Sequence, residues 1–169
     1  LLVQMIEMVM GEGYLVSHYF VTASVCALSP LQYAQESADT IIAYARANQP
    51  VTVLTAPMTG VSTPISDIGA LVAQNAELLA GIVLAQLVQP GVPVIYGTAT
   101  YAADMRSGAF ITGSPLSNLI DRAALQLAQS LYHMPTRTLA GNTDAKVPDI
   151  QAGYETMQNY IQLLMGGTH

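Results

Sequence analysis

Charge is scarce in this chain. Only 9% of its 169 residues are Asp, Glu, Lys or Arg, five of them basic and eleven acidic. Cations so few and so scattered make no basic stripe or patch, which excludes the electrostatic footprint of a nucleic-acid binder. Cysteine is almost missing as well. Cys26 stands alone, so no internal disulfide framework is available and a reducing, cytoplasmic setting is expected. With that one thiol and three histidines (His18, His133 and His169) no metal-ligand spacing occurs, and no protein-bound metal is expected. Tryptophan is absent and phenylalanine occurs twice, which leaves the aromatic chemistry to nine tyrosines. An uninterrupted membrane-length apolar run is lacking too: the nearest candidate, Ile68 to Val88, is broken by Gln74, Asn75, Glu77 and Gln86, so no membrane span is expected. The N-terminus shows no basic segment leading into a small-residue cleavage site, and no signal peptide is expected. Neither a G-x-S-x-G elbow nor a P-loop is present, and Gly11-Glu12-Gly13 has neither the preceding strand nor the third glycine of a dinucleotide fingerprint.

What the chain does have is apolar surface, 51% of its residues, arranged in alternating patterns. Four β-rich runs, His18 to Cys26, Val51 to Ala56, Val92 to Tyr96 and Thr136 to Ala140, are each followed by a helical pattern. Ser29-Pro30, Thr63-Pro64 and Ser114-Pro115 each offer a hydroxyl at an N-cap and proline at the first helical position. Gln32 completes a capping box with Ser29, and Asp149 suits the cap of the fourth helix, its charge at the positive end of the dipole. The stripe Ala34, Ala38, Ile41, Ile42, Ala45 predicts one buried helix face, and Leu119, Ile120, Ala123, Leu127, Leu131 predicts another. The helix from about Ile65 to Val88 is apolar nearly all round and is expected to be buried by several neighbours. Tyr154, Met157, Ile161 and Leu164 stripe the last helix, which is expected to stop at Gly166-Gly167.

Consecutive strand–helix units argue for parallel strands joined by right-handed crossovers. Leu1 to Met10 reads as a helix with no strand before it, and the chain stops at Gly166-Gly167-Thr168-His169, where a next strand would begin. The expected fold is therefore α/β, a (β/α)8 TIM-type barrel of which these four units are about half. Residues 1–169 would be the central part of one barrel domain, truncated at both ends. A complete small doubly wound sheet is the alternative.

In such folds the loops after the strands carry function. The third and fourth, Gly97 to Gly113 and Gly141 to Pro148, are the polar ones, with Asp104, Arg106, Asp144 and Lys146. Those two carboxylate–cation couples either orient a charged or zwitterionic small molecule or pair with each other to shape the loops. Tyr96 ends the third strand and Tyr101 lies in its loop; their rings either attract a quaternary ammonium group or serve packing. Glu77, inside an apolar helix, is either a buried, paired carboxylate or a residue facing the polar end of a barrel.

Ala56-Pro57-Met58-Thr59-Gly60, Gly69 through Val88, Pro93-Val94-Ile95-Tyr96-Gly97, Asp104 through Ala109, Gly113-Ser114-Pro115 and Thr143 through Glu155 together resemble the trimethylamine methyltransferase family. The likeness runs from about Ser24 onward, and members of that family are much longer than this chain. The resemblance implies a (β/α)8 barrel that passes a methyl group from a methylamine or quaternary amine to the Co(I) of a corrinoid (cobalamin) carried by a partner protein, with no cofactor bound covalently. The trimethylamine branch carries pyrrolysine. This chain has only standard residues, so the likeness leans toward the branch without it, in which similar proteins use glycine betaine or related amines. Tyr96 and Tyr101 would then line a cation site, with Asp104 or Asp144 as counter-charge and Arg106 or Lys146 on a substrate carboxylate. The partners expected are the amine, the cognate corrinoid protein and further copies of the chain, with neither nucleic acid nor membrane. An inert quaternary-amine-binding relative and a barrel acting on a phosphorylated substrate are the competing readings; the second lacks a glycine-rich phosphate loop.

Overall fold

The computed structural model describes residues 1–167. The expectation for the final Thr168-His169 lies outside the described residues. A helix α1 (Leu2–Met10) and a single turn α2 (Tyr14–Ser17) precede the first strand, β1 (Ala23–Ala27). There follow α3 (Gln35–Arg46), β2 (Val51–Thr55), a short β3 (Met58–Thr59), α4 (Asp67–Val88), β4 (Val94–Thr98), short β5 (Tyr101–Ala103) and β6 (Phe110–Ile111), α5 (Pro115–Ser130), β7 (Thr136–Thr138) and α6 (Ile150–Met165).

Strands β1, β2, β4 and β7 form one parallel sheet in the order β1-β2-β4-β7. That order never reverses. A doubly wound sheet needs a reversal to place helices on both faces, so the doubly wound alternative is set aside in favour of a singly wound α/β layer. Alternation along the strands decides the faces. Val25, Val53 and Tyr96 turn toward the helices, where Ile41 and Ala45 of α3, Leu78, Ile82 and Ala85 of α4, and Ala124 and Ala128 of α5 complete the core. Gly81 lets α4 approach closely: a Cβ there would meet the Val53 side chain at 2.8 Å.

The opposite face carries Ser24, Cys26, Thr52, Leu54, Ile95, Gly97 and Arg137, with Ser24, Cys26 and Arg137 exposed. Across it an Arg137 Nη1–H donates to Ser24 Oγ at 3.2 Å, although β7 and β1 are the outer strands. Strands about 4.8 Å apart would put these two ~14 Å apart on a flat sheet, beyond what the two side chains and one hydrogen bond bridge. The sheet therefore curls toward its open face. Beyond the C-terminal ends of β2 and β4, β3, β5 and β6 make a second, three-stranded sheet; β5 and β6 lie inside what the sequence reads as the polar loop Gly97 to Gly113.

Two helix starts differ from expectation. Ser29-Pro30 is a cis peptide in a turn closed by hydrogen bonds between Leu28 and Gln32 at 2.8 and 3.0 Å. The Ser29 hydroxyl is taken by Glu77, so neither it nor Gln32 caps a helix, and α3 starts only at Gln35. At Thr63-Pro64 the helix waits until Asp67, with Ser66 accepting from the Gly69 amide. Ser114 and Asp149 do cap α5 and α6, accepting from Leu116 N and Ala152 N.

Faces differ as well. On α5 the buried side is Ile120, Asp121, Ala124, Leu125 and Ala128, while Leu119 and Leu131 are more than half exposed. Buried polar residues, Ser117, Asn118 and Asp121, shift the stripe, because hydropathy assigns them to solvent. On α4, Ile68, Val72, Val83 and Leu87 remain exposed, so its outer side is open rather than surrounded. That helix is long and apolar enough to cross a membrane, yet its Ala70, Leu78, Ile82 and Ala85 pack inside the protein. On α6, Tyr154, Met157, Ile161 and Leu164 face outward, and Asn159 and Leu163 are the buried positions.

Candidate functional site at the C-terminal ends of the strands

Two buried carboxylates reach from the helices to the strand ends. Glu77 on α4 is 1% exposed. It accepts from Ser29 Oγ at 2.7 Å, from the Leu31 amide at 2.9 Å and from Thr55 Oγ1, so one side chain ties the loop after β1 to the end of β2. The Tyr33 hydroxyl donates to the Glu77 carbonyl at 2.8 Å; burial, then the Glu77 charge, push that phenol up to about 12, so it stays a donor throughout the physiological range. Asp121 on α5 accepts from Thr100 twice, through the amide at 3.1 Å and the hydroxyl at 2.6 Å, and from Gln74 Nε2 at 3.3 Å. Burial lifts its pKa above the ordinary aspartate value, against the pull of the Thr100 and Gln74 hydrogen bonds. Glu77 proves to be a buried, hydrogen-bonded carboxylate, while Asp121 is a role the pattern did not single out. It sits between Ile120 and Arg122 on a helix of mixed apolar and polar residues, where the available signal is an acid adjoining the apolar stripe.

A third carboxylate joins the two polar loops. Asp144 accepts from the Thr112 amide and hydroxyl at 2.9 and 3.0 Å and from the Gly113 amide at 2.9 Å. Burial would raise its pKa, but these donors and the nearby Lys146 charge lower it. Glu155 on α6 in turn accepts from Thr143 Oγ1 at 2.7 Å and the Asp144 amide at 2.8 Å, and the Thr143, Gln151 and Asp144 donors, in that order, lower its pKa. Asp104 closes the turn between β5 and β6, accepting from the Arg106 amide at 2.9 Å and Ser107 Oγ at 2.5 Å; the Ser107 bond chiefly lowers its pKa.

Asp144 and Lys146 thus lie together in one loop, and Asp104 and Arg106 in another turn. Tyr101 belongs to the small sheet, its ring 4.6 Å from that of Phe110, centroid to centroid. Tyr96 is a correction. It is fully buried on the helix side of β4, its hydroxyl donating to Asn75 Oδ1 at 2.9 Å while Asn75 donates to Tyr132 at 2.9 Å. Alternation along the strand turns it away from the open face, so it cannot share a pocket there with Tyr101.

The open face holds what the sequence reading passed over. Cys26, Leu54, Gly97 and Arg137 lie in one register row, with Ser24, Thr52 and Ile95 in the next. Leu54 lies across Gly97, where a Cβ would collide with the Leu54 side chain. Arg137 was hidden because Thr136-Arg137-Thr138 is a very short strand, and its alternation becomes legible only once the register is known. The face can offer an aliphatic floor, hydroxyl and thiol groups and one guanidinium. Among the described residues no group of three or more His, Cys, Asp or Glu side chains is placed to hold a metal ion.

Comparison with known proteins gives this arrangement its context. Residues 2–169 match the family described as Trimethylamine methyltransferase (MTTB). A proline betaine:corrinoid methyltransferase of Eubacterium limosum is 43% identical over 143 residues, 85% of this chain and 29% of that protein. A glycine betaine methyltransferase of Desulfitobacterium hafniense (strain Y51) is 43% identical over 142 residues, 84% of this chain and 29% of that protein. A trimethylamine methyltransferase of Methanosarcina barkeri is 44% identical over 143 residues, again 84% and 29%. The matched stretch spans under a third of each of these relatives. The chain belongs to the trimethylamine methyltransferase family.

Proposed function

We propose that the protein moves a methyl group from a quaternary amine or methylamine, of the glycine betaine or trimethylamine class, to the Co(I) of a separate corrinoid protein. This chain would form about half the wall of the (β/α)8 barrel that holds the amine, as the central part of a single domain. The observation that carries the reading is the family match along residues 2–169, joined to relatives named for trimethylamine and for two betaines. A parallel sheet wound in one direction, with helices on one side and a curl toward the other, supports the barrel. The amine, the cognate corrinoid protein docked over the strand ends, and further copies of the chain are its partners, in the cytoplasm.

The residues on the open face fit a methyl acceptor brought from outside. Ser24, Cys26, Leu54, Ile95 and Gly97 provide a shaped surface with little acid–base capacity, which suits a reaction that needs little. A quaternary nitrogen is already cationic, so its methyl carbon takes an electron pair while the C–N pair leaves with nitrogen as a neutral tertiary amine. The corrinoid, when docked, supplies the attacking pair from Co(I). The wall has to strip water from the cation and hold the C–N bond in line. Tyr101 presents a ring face, worth ~0.5–2 kcal/mol to a cation, with Asp104 or Asp144 as counter-charge. Arg106 and Lys146, in the loops around the mouth, draw in a substrate carboxylate.

The test uses the protein at its native length with free cob(I)alamin and a panel of quaternary amines and methylamines, read by cobalamin absorbance. Conversion to methylcobalamin with a betaine or a methylamine is the expected result. Tight betaine binding with no conversion, by free or corrinoid-protein-bound Co(I), would replace this reading with that of an inert amine binder. Asp104→Ala and Asp144→Ala are expected to weaken amine binding; unchanged turnover in both removes the counter-charge roles.

A further inference from the structure

The open sheet face presents a cation that the reading above leaves without a task. We infer that Arg137 is a specificity-determining residue: its guanidinium holds the carboxylate of a betaine against the open face, so that the protein distinguishes betaines from amines without an acid group. This rests on the proposed reaction and adds to it the residue that reads the second end of the substrate.

The geometry points there in three ways. Arg137 lies one residue before the C-terminal end of β7, at the end of the sheet where α/β enzymes hold their substrates. Its recorded partner is a neutral hydroxyl, Ser24 Oγ at 3.2 Å, which leaves most of a five-donor fork available for an anion. The residues sharing its face (Ser24, Cys26, Thr52, Leu54, Ile95 and Gly97) include no carboxylate, in contrast to the helix side and the loops, where Glu77, Asp121 and Asp144 are occupied by hydrogen-bond donors. Gly97 stands next to Arg137 in the register and adds no bulk of its own, and Leu54 lying over it supplies an apolar floor for the methylated end. A betaine is a short zwitterion with a carboxylate and a quaternary nitrogen a few bonds apart. Arginine takes a carboxylate in a planar, two-point geometry that fixes direction as well as position, and fixing direction is what alignment of a C–N bond requires. Lys146 has no such fork, and Arg106 sits in the turn between β5 and β6 rather than on the sheet face.

The experiment is calorimetry on the native-length protein without any corrinoid protein, titrating glycine betaine and, separately, tetramethylammonium, which has the cation but no acid. Arg137→Gln is expected to weaken betaine binding about 10- to 100-fold and to leave tetramethylammonium binding unchanged, which also shows that the variant is folded. Arg137→Lys, keeping the charge without the fork, is expected to recover part of the loss. Equal weakening of both ligands overturns the inference and makes Arg137 a structural residue. Unchanged betaine binding overturns it too, and leaves the guanidinium to an acid group of the corrinoid or its carrier. A wild-type protein that demethylates a simple methylamine but binds betaine no better than tetramethylammonium overturns the carboxylate role while the methyl-transfer reading stands.

Discussion

Glu77 accepts three hydrogen bonds while almost wholly buried, and Asp121 does the same for Thr100 and Gln74. Neither charge is balanced by a cation in those contacts; each is held by oriented donors, an arrangement that fixes loops more firmly than a screened ion pair. Removing the acceptor strands buried donors, so Glu77→Ala and Asp121→Ala should each lower stability by about 1–3 kcal/mol, measured as a fall in the urea midpoint at unchanged slope. A cost near zero would mean that water replaces the carboxylate. Tyr96→Phe separates packing from recognition. Losing one hydrogen bond to Asn75 should cost about 0.5–1.5 kcal/mol and leave amine affinity intact; a drop in amine affinity at unchanged stability would return Tyr96 to the site. Gly97 is tested in the same spirit. Gly97→Ala drives a Cβ into Leu54 and should destabilise by about 1–3 kcal/mol, with Leu54→Ala in the same molecule recovering part of the loss.

At the scale of elements, Asp144 links the two polar loops, and Glu155 ties the second of them to α6. Both carboxylates have folded-state pKa values below their ordinary ones. Their contribution is therefore present above the unfolded values, about 4, and is lost as pH falls through the depressed folded values. Asp121 has the opposite sign: its raised value means that ionisation opposes folding as pH climbs past the ordinary aspartate range. The Thr112 and Gly113 amide resonances should hold steady down to about pH 4 and shift together below it; a shift centred well above that would contradict the depressed values. The strand–helix alternation, Ser114 and Asp149 as caps, and the α1 helix were legible in the sequence because each rests on local chemistry. Ser29-Pro30 and Thr63-Pro64 misled because the same local chemistry also makes turns, and which one forms depends on Glu77 and Ser66, distant or later partners. The α5 stripe was misplaced because its buried side includes Ser117, Asn118 and Asp121, which no hydropathy pattern assigns to a core. The polar loops that carry Asp104, Arg106, Asp144 and Lys146 were legible as loops from their charge in a charge-poor chain. Tyr96 and Arg137 were not, since which way a strand residue points depends on register.

Across the whole molecule, the sheet has two unlike sides. One is sealed by α3, α4 and α5; the other, curled and lightly polar, is spanned by Arg137 reaching Ser24. The apolar faces left open on α4 and α6 and the family match within much longer relatives are what the proposed barrel wall would show. A wall of this kind contributes little acid–base chemistry and much alignment, which suits transfer of a methyl group that is already electrophilic. The most direct test of that claim follows the methyl group itself. Glycine betaine with deuterated N-methyl groups is incubated with the native-length protein and cob(I)alamin, and the products are read by mass spectrometry. The account predicts one intact trideuteriomethyl group on cobalamin for each molecule of dimethylglycine released, and the same stoichiometry from trimethylamine if that is the amine used. Label that stays on bound amines of both kinds, with cobalamin unmethylated, would contradict it.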